Sequence, residues 1–332
     1  MAPMTRAQSP NGIPTDAVVE YYARRAGADV GLILTEGTVI DRPSSKNKPN
    51  VPDFHGKEAL AAWQKVVDGV HQYGGKIAPQ LWHVGNPPVS GVEMPEPFEG
   101  PATMTEEDID DTIKKFAESA VAAKQQGFDA LEIHGAHGYL IDQFFWETTN
   151  PRTDRYGGKT IKERATFAVE AIKAIRAAVG EDMVIILRLS QWKQQDYAAR
   201  LAHTPEQMAA WLQPLAEVGV DIFHCSTRRF WEPEYVGSDL NFAGWAKKVT
   251  GRPTVTVGSV GLSTDMVESF SGKSSNKNNN LPELVRRLER GDFDLVAVGR
   301  AILQDFEWVK KVKEGTLDHL KEFTAESMAV YY

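Results

Sequence analysis

The chain has 332 residues, 42% hydrophobic and 25% charged, a composition that supports a large core and excludes a disordered or fibrous protein. Its 37 Lys and Arg against 45 Asp and Glu leave a net charge of -8, which opposes binding to phosphate backbones and anionic lipid, so neither nucleic acid nor a membrane is expected as partner. A single cysteine, Cys225, precludes an internal disulfide, no apolar run approaches the ~20 residues of a membrane span, and the first residues lack the layout of a signal peptide; a soluble, cytoplasmic protein is expected.

Short apolar runs predict strands at residues 1–5, 31–35, 76–82, 130–134, 183–189, 221–224, 254–257 and 294–298. Most are continuously apolar, as in strands covered on both faces. Amphipathic stretches between them predict helices. Thr105 with Asp108 forms a capping-box pattern ahead of Ile109, Ile113, Phe116, Ala120 and Ala123, and Gly127 stops that helix. Thr160 with Glu163 opens another, with Ala165, Ala168, Ile172 and Ile175 on one face, and Thr204-Pro205-Glu206-Gln207 opens a third. Gly127-Phe128-Asp129, Gly219-Val220-Asp221 and Asp292-Phe293-Asp294 recur just before strands, in keeping with repeated βα units. Residues 271–280 read as a polar surface loop; Gly272-Lys273-Ser274 within it lacks the upstream glycine of a phosphate-binding P-loop, since position 267 is Val267.

At roughly 150 residues per domain the length suggests two domains, yet an α/β barrel takes about 250 as one. With eight strands and no linker, the pattern predicts a single (β/α)8 TIM barrel over residues 1–332. Chemistry in such a barrel sits at the C-terminal strand ends. These deliver Thr5, then Glu36-Gly37, Gln80 with Trp82 and His83, the run His134 to Tyr139, Arg188, Cys225-Ser226, Gly258-Ser259 and Gly299-Arg300. No lysine is among them, which argues against a Schiff-base aldolase. Gly258-Ser259 and Gly299-Arg300, after strands seven and eight, suit a phosphate; ordinary turn chemistry is the plainer reading.

The densest cluster is His134-Gly135-Ala136-His137-Gly138-Tyr139. Two imidazoles and a phenol can converge on one pocket and polarise a carbonyl. A metal-dependent hydrolase using His83, His134, His137 and His224 is the alternative, and histidines that merely cap the barrel rim are a third reading.

Met1-Ala2-Pro3-Met4-Thr5-Arg6, Thr35-Glu36-Gly37-Thr38, Gln80-Leu81-Trp82-His83, His134-Gly135-Ala136-His137-Gly138-Tyr139, Thr149-Asn150-Pro151-Arg152-Thr153-Asp154-Arg155-Tyr156-Gly157-Gly158 and Gly299-Arg300 together resemble the Old Yellow Enzyme family of FMN-dependent ene-reductases. The resemblance runs nearly end to end. It implies an NAD(P)H-dependent reduction of α,β-unsaturated carbonyl compounds, with NADPH or NADH as reductant and a small enone-type substrate. By similarity Pro3, Met4, Thr5 and Gly37 lie beside the FMN ring, Gln80 at its pyrimidine edge, Arg188 near N1 and O2, and Gly258, Ser259, Gly299 and Arg300 at its phosphate. His134 and His137 match the pair that holds the substrate carbonyl, and Tyr139 matches the proton donor. Trp82, Phe230 and Trp231 are candidate walls of the substrate pocket, and Cys225 is read as packing. No metal is implied, and homo-oligomer formation is left open. Two departures shape the expectation. The Met-Ala-Pro-Met-Thr stretch stands at residue 1, so the first strand is expected to be short. The loop from Asn86 to Met104 is shorter than the family's capping segment, implying a more open mouth. A flavin-binding but inactive or truncated relative is therefore the second expectation.

Overall fold

In this computed structural model, residues 1–86, 96–265, 268–269, 272–275, 280–329 and 331 are described. The apolar runs form seven strands: β1 (Leu32–Val39), β2 (Lys76–Trp82), β3 (Ala130–His137), β4 (Val184–Lys193), β5 (Ile222–Ser226), β6 (Thr254–Val257) and β7 (Leu295–Ala297). All pair in parallel in chain order. Helices α1 (Asp16–Ala26), α2 (Lys57–His71), α3 (Glu106–Gln125), α4 (Leu140–Phe145), α5 (Ile161–Arg164), α6 (Thr166–Val179), α7 (Pro205–Glu217), α8 (Phe242–Thr250), α9 (Leu281–Arg290), α10 (Arg300–Gln304) and α11 (Trp308–Lys313) occur among the described residues, most of them in the crossovers. This is a single α/β barrel domain, and no helix among the described residues is long and apolar enough to cross a membrane.

Among the described residues the census of eight strands is corrected to seven. Residues 1–5 form no regular strand, but the first two occupy the seam between β1 and β7. The Met1 amino group donates to Leu32 O, the Leu34 amide donates to Met1 O, and the Ala2 amide donates to Val298 O. Residues 87–95 of loop 86–104 lie outside the described residues, as do 271 and 276–279 of the 271–280 stretch, together with Val267.

Alternation along each strand sorts side chains into layers. On β3, Leu131 and Ile133 pack outward in the main core, whereas Ala130 joins Leu34, Ala78 and Ile186 in an apolar plug at the barrel base. Two residues up, Glu132 accepts a hydrogen bond from Gln80 Nε2 (2.7 Å) and meets His224 Nδ1 (2.6 Å). Two further up, His134 reaches the rim.

The recurrent aspartates acquire a mechanical reason. Asp129, Asp221 and Asp294 accept an amide from the first or second residue of the preceding strand, Ile77, Ile185 and Thr254 respectively (3.0, 2.8 and 2.9 Å). Each is also paired with a cation, respectively Lys76, Arg176 and Lys247, so the repeat fixes strand register at the base. The predicted caps form at Thr105 with Asp108 and at Thr160 with Glu163. The second helix, however, breaks at Ala165 into α5 and α6. Thr204 caps α7, but Gln207 Oε1 accepts from the His203 amide, one residue before the cap.

The segment 149–158 is a structural knot. Asn150 Nδ2 donates to Phe144 O and Tyr156 O (2.7 and 2.8 Å), and Arg152 Nε clasps Asp154 with two contacts of 3.0 Å. Backbone at Gly157 passes so close to Arg152 O that an added Cβ would lie 1.9 Å from it. The knot anchors the end of α4, the helix that follows the His134 to Tyr139 run. Gly157→Ala is therefore expected to cost roughly 2–4 kcal/mol, read as a lower denaturation midpoint; an unchanged midpoint would contradict this packing.

Candidate active site

A cavity of about 590 Å³ opens at the C-terminal strand ends. Pro3, Met4, Thr5, Gln80, Trp82, His134, His137, Tyr139, Arg188, Gly258, Ser259, Gly299 and Arg300 all line it. The barrel thus gathers residues separated by nearly 300 positions.

The end of β3 supplies the polar wall. His137 and Gly138 both adopt positive φ (65° and 81°), which turns the chain sharply and brings the Tyr139 ring edge-on to His134, with centroids 5.1 Å apart. This unusual turn is held by Asp142, whose Oδ2 accepts the Gly138 amide (2.7 Å) and whose Oδ1 meets Lys193 Nζ (2.6 Å). Both charged side chains of that pair are fully buried. Ser190 Oγ accepts the His137 amide (2.9 Å), and His137 Nε2 meets Ser226 Oγ (2.8 Å).

Burial, reinforced by the Arg188 charge, holds both imidazoles well below their usual pKa, so both are neutral at pH 7. The Ala136 amide donates to His134 Nδ1 (3.3 Å), which places the proton of neutral His134 on Nε2 as a donor. Burial raises the Tyr139 phenol, offset in part by Gln194 and Arg188, and keeps it protonated. Trp82 packs edge-on against the same phenol ring, 4.8 Å between centroids.

Arg188 is the anomalous charge. It is 8% exposed, its Nε is buried without a partner, and no carboxylate pairs with it among the described residues. A buried guanidinium in this state is costly unless an electron-rich group faces it. Gln80 lines the cavity while its Nε2 is committed to Glu132, leaving Oε1 as an acceptor.

At the opposite end, the Gly258-Ser259 turn has φ values of 150° and 52°. A Cβ on Gly258 would lie 2.6 Å from Thr227 O, so glycine is required there. Asn280, missed in the sequence reading, pins this loop by donating to Ser259 O (2.8 Å) and accepting the Gly261 amide (2.8 Å). Arg300 differs from expectation. Its guanidinium donates to Thr264 O (2.8 Å), Asp265 O (3.0 Å) and Ser269 Oγ, so it ties the loop together while adding positive charge beside it.

Three expectations require correction. Gly37 does not line the cavity; it lies beneath the Trp82 indole, where a Cβ would come within 2.8 Å of the ring. Trp231 and Phe230 also lie off the lining and pack edge-on against each other at 5.1 Å. The four histidines of the metal alternative do not converge. His83 is spent on Glu99 and the Gly85 amide and His224 on Glu132, and among the described residues no group of three His, Cys, Asp or Glu is placed to hold a metal ion. Residues the sequence reading gave no role include Ser226, Trp192 and Gln194, all on the lining. Their signal was position alone, at or just past the ends of β4 and β5.

The family model described as NADH:flavin oxidoreductase / NADH oxidase matches residues 1–319. The chain belongs to this family. The resemblance to the Old Yellow Enzyme family therefore holds across the barrel. An NADH oxidase of Thermoanaerobacter brockii is 33% identical over 344 residues, covering 97% of this chain and 49% of its own length, so the chain spans about half of that relative. Among solved structures, morphinone reductase superposes with a TM-score of 0.75 at 25% identity over 95% of this chain and 85% of its own. The old yellow enzyme homologue from Zymomonas mobilis reaches 0.80 at 22% identity over 100% and 92%, which shows the shared fold.

One buried carboxylate in this family member backs the segment carrying Thr5. Glu36 Oε2 accepts the Arg6 and Ala7 amides, both at 2.8 Å, while Oε1 has no partner. Burial outweighs these donors and raises the carboxyl from its ordinary 4.5 to about 7. The folded chain then binds this proton more tightly than the unfolded one, so Glu36 contributes most below pH 4.5 and stability falls as pH rises through about 7. Glu36→Gln is expected to remove about 2–3 kcal/mol of this pH dependence, measured by denaturation between about pH 5 and pH 8. A variant as pH-dependent as the parent would refute the assignment.

Proposed function

We propose that residues 1–332 form one FMN-binding domain that uses NADH or NADPH to reduce the carbon–carbon double bond of α,β-unsaturated carbonyl compounds. The observation that carries this reading is Arg188, a buried guanidinium whose Nε has no partner among the described residues, lining a cavity that also holds two neutral imidazoles and a protonated phenol. The residues fit FMN: Gln80 Oε1 and the Thr5 hydroxyl offer polar contacts to the ring, and Arg188 offers fixed positive charge to its electron-rich edge. Backbone amides around Gly258, Ser259 and Gly299 would take the phosphate, with Arg300 supplying charge from behind the loop. When bound, FMN supplies the two-electron chemistry between NAD(P)H and the alkene.

The chain's own groups handle the carbonyl and the proton. His134, as an Nε2 donor, and His137 would hold the carbonyl oxygen and stabilise negative charge developing on it. Tyr139 would donate its proton to the α-carbon. Trp82 would wall the substrate side. The lone Cys225, buried and with its thiol pushed well up by burial, suits the reducing cytoplasm expected for such an enzyme.

The purified protein is expected to show a flavin absorbance spectrum that NADPH or NADH bleaches and cyclohexenone restores. Absence of flavin even after reconstitution would overturn the proposal, and a yellow protein that neither nucleotide reduces would favour an inactive relative. Tyr139→Phe should slow alkene reduction by at least about 10-fold while leaving flavin reduction by NAD(P)H largely intact. Equal loss in both half-reactions would remove Tyr139 as the proton donor.

A further inference from the structure

We propose that Gln194 is the group that stabilises the Tyr139 phenolate left by proton transfer, and so sets the rate of the protonation step. The inference rests on the function proposed above and extends it to a residue with no assigned role. Gln194 Nε2 donates to Tyr139 Oη at 2.9 Å, the one hydrogen bond of that oxygen among the described residues. The two aromatic neighbours of the phenol ring, His134 and Trp82, meet it edge-on and pack against the ring.

The direction of this bond matters. With the amide as donor, the phenol keeps its own hydrogen free for a substrate, and an acceptor in the same place would have tied it up. In the step itself, the alkene π pair forms the new C–H bond at the α-carbon with the proton leaving Oη, while hydride arrives at the β-carbon. The phenolate remains at the half-buried cavity wall until solvent returns a proton. An oxyanion there is only partly solvated, and a fixed N–H donor gains strength as the charge forms. Such a donor therefore favours the transition state over the ground state.

The scaffold holds this donor in place. The Gln194 amide donates to His137 O (3.4 Å), and Lys193, immediately before it, is locked to Asp142 and pairs through its own backbone with Asp196 (2.9 Å). The adjacent Gln195 has the same side chain but points to Gly138 O and is absent from the cavity lining. Of the two neighbouring glutamines, only Gln194 reaches the phenol.

The test uses the flavin-loaded enzyme and rapid-mixing measurement of the two half-reactions. Gln194→Leu keeps size and removes the donor; it is expected to slow alkene reduction by roughly 10- to 100-fold, raise the solvent deuterium isotope effect on that step, and affect flavin reduction far less. Gln194→Glu, which replaces the donor by an acceptor, should be at least as slow. Placed on Tyr139→Phe, Gln194→Leu should add less than about 2-fold, because the oxyanion it serves no longer forms. A full multiplicative loss on the Tyr139→Phe background, or no loss in the single variants, overturns the role of Gln194. If Tyr139→Phe alone leaves alkene reduction unchanged, the parent reading fails and this inference falls with it, an outcome separable from loss of the Gln194 role alone.

Discussion

The buried ion pair between Asp142 and Lys193 is the interaction on which the rim depends. Both side chains are withdrawn from solvent, and each is compensated further, Asp142 by the Gly138 amide and Lys193 by Ser190 O. Burial favours the neutral form of each, and the 2.6 Å contact opposes it. The pair ties α4 to the end of β4, and the positive-φ turn at His137 and Gly138 leads into α4 and is held by Asp142 through the Gly138 amide. An L-residue in that conformation is uncommon and persists when its surroundings over-determine it. His137, Tyr139 and Gln194 thus inherit their positions from a charge pair that never touches the cavity.

Below that rim the barrel axis is graded in polarity. An apolar plug closes the base, the Gln80, Glu132 and His224 layer lies above it, and Arg188 stands beside the cavity. Glu132 is the counterweight of this column. It interacts with Gln80 and His224 by direct hydrogen bonds and with Arg188 through space, which opposes the lowering of the arginine's pKa by burial without consuming its donors. Charge is balanced while hydrogen-bonding capacity is left for something else to use.

Much of this organisation was legible in the sequence because it is local. Strands 76–82 and 254–257 were read to the residue, since an apolar run there ends where the chain turns toward the rim. The capping boxes at Thr105 and Thr160 are four-residue signals, and the cavity residues clustered where barrel topology places them. What escaped has no local signature. The Glu132–His224 contact joins residues 92 positions apart. Nothing adjacent distinguishes Gln194 from Gln195; only the turn of β4 does. Arg300 was placed correctly at the loop, but its bonds to Thr264 and Asp265 depend on how that loop folds back. Trp231 and Gly37 were placed too near the cavity because a residue beside a strand end can face either into the barrel or into the layer behind it.

The seam between β1 and β7 carries a consequence of its own. The short bridge through Met1 and Ala2 joins the two edges, and the residues immediately following it, Pro3 to Thr5, line the cavity together with Gly299 and Arg300, with Met4 beside Gly299. A cofactor bound against both sets of residues would touch both edges at once and act as a staple for the cylinder, adding its binding free energy to closure of the sheet. Cofactor retention and mechanical integrity then become a single property: backbone amides along this seam would exchange with solvent soonest in the empty protein and slow most on loading.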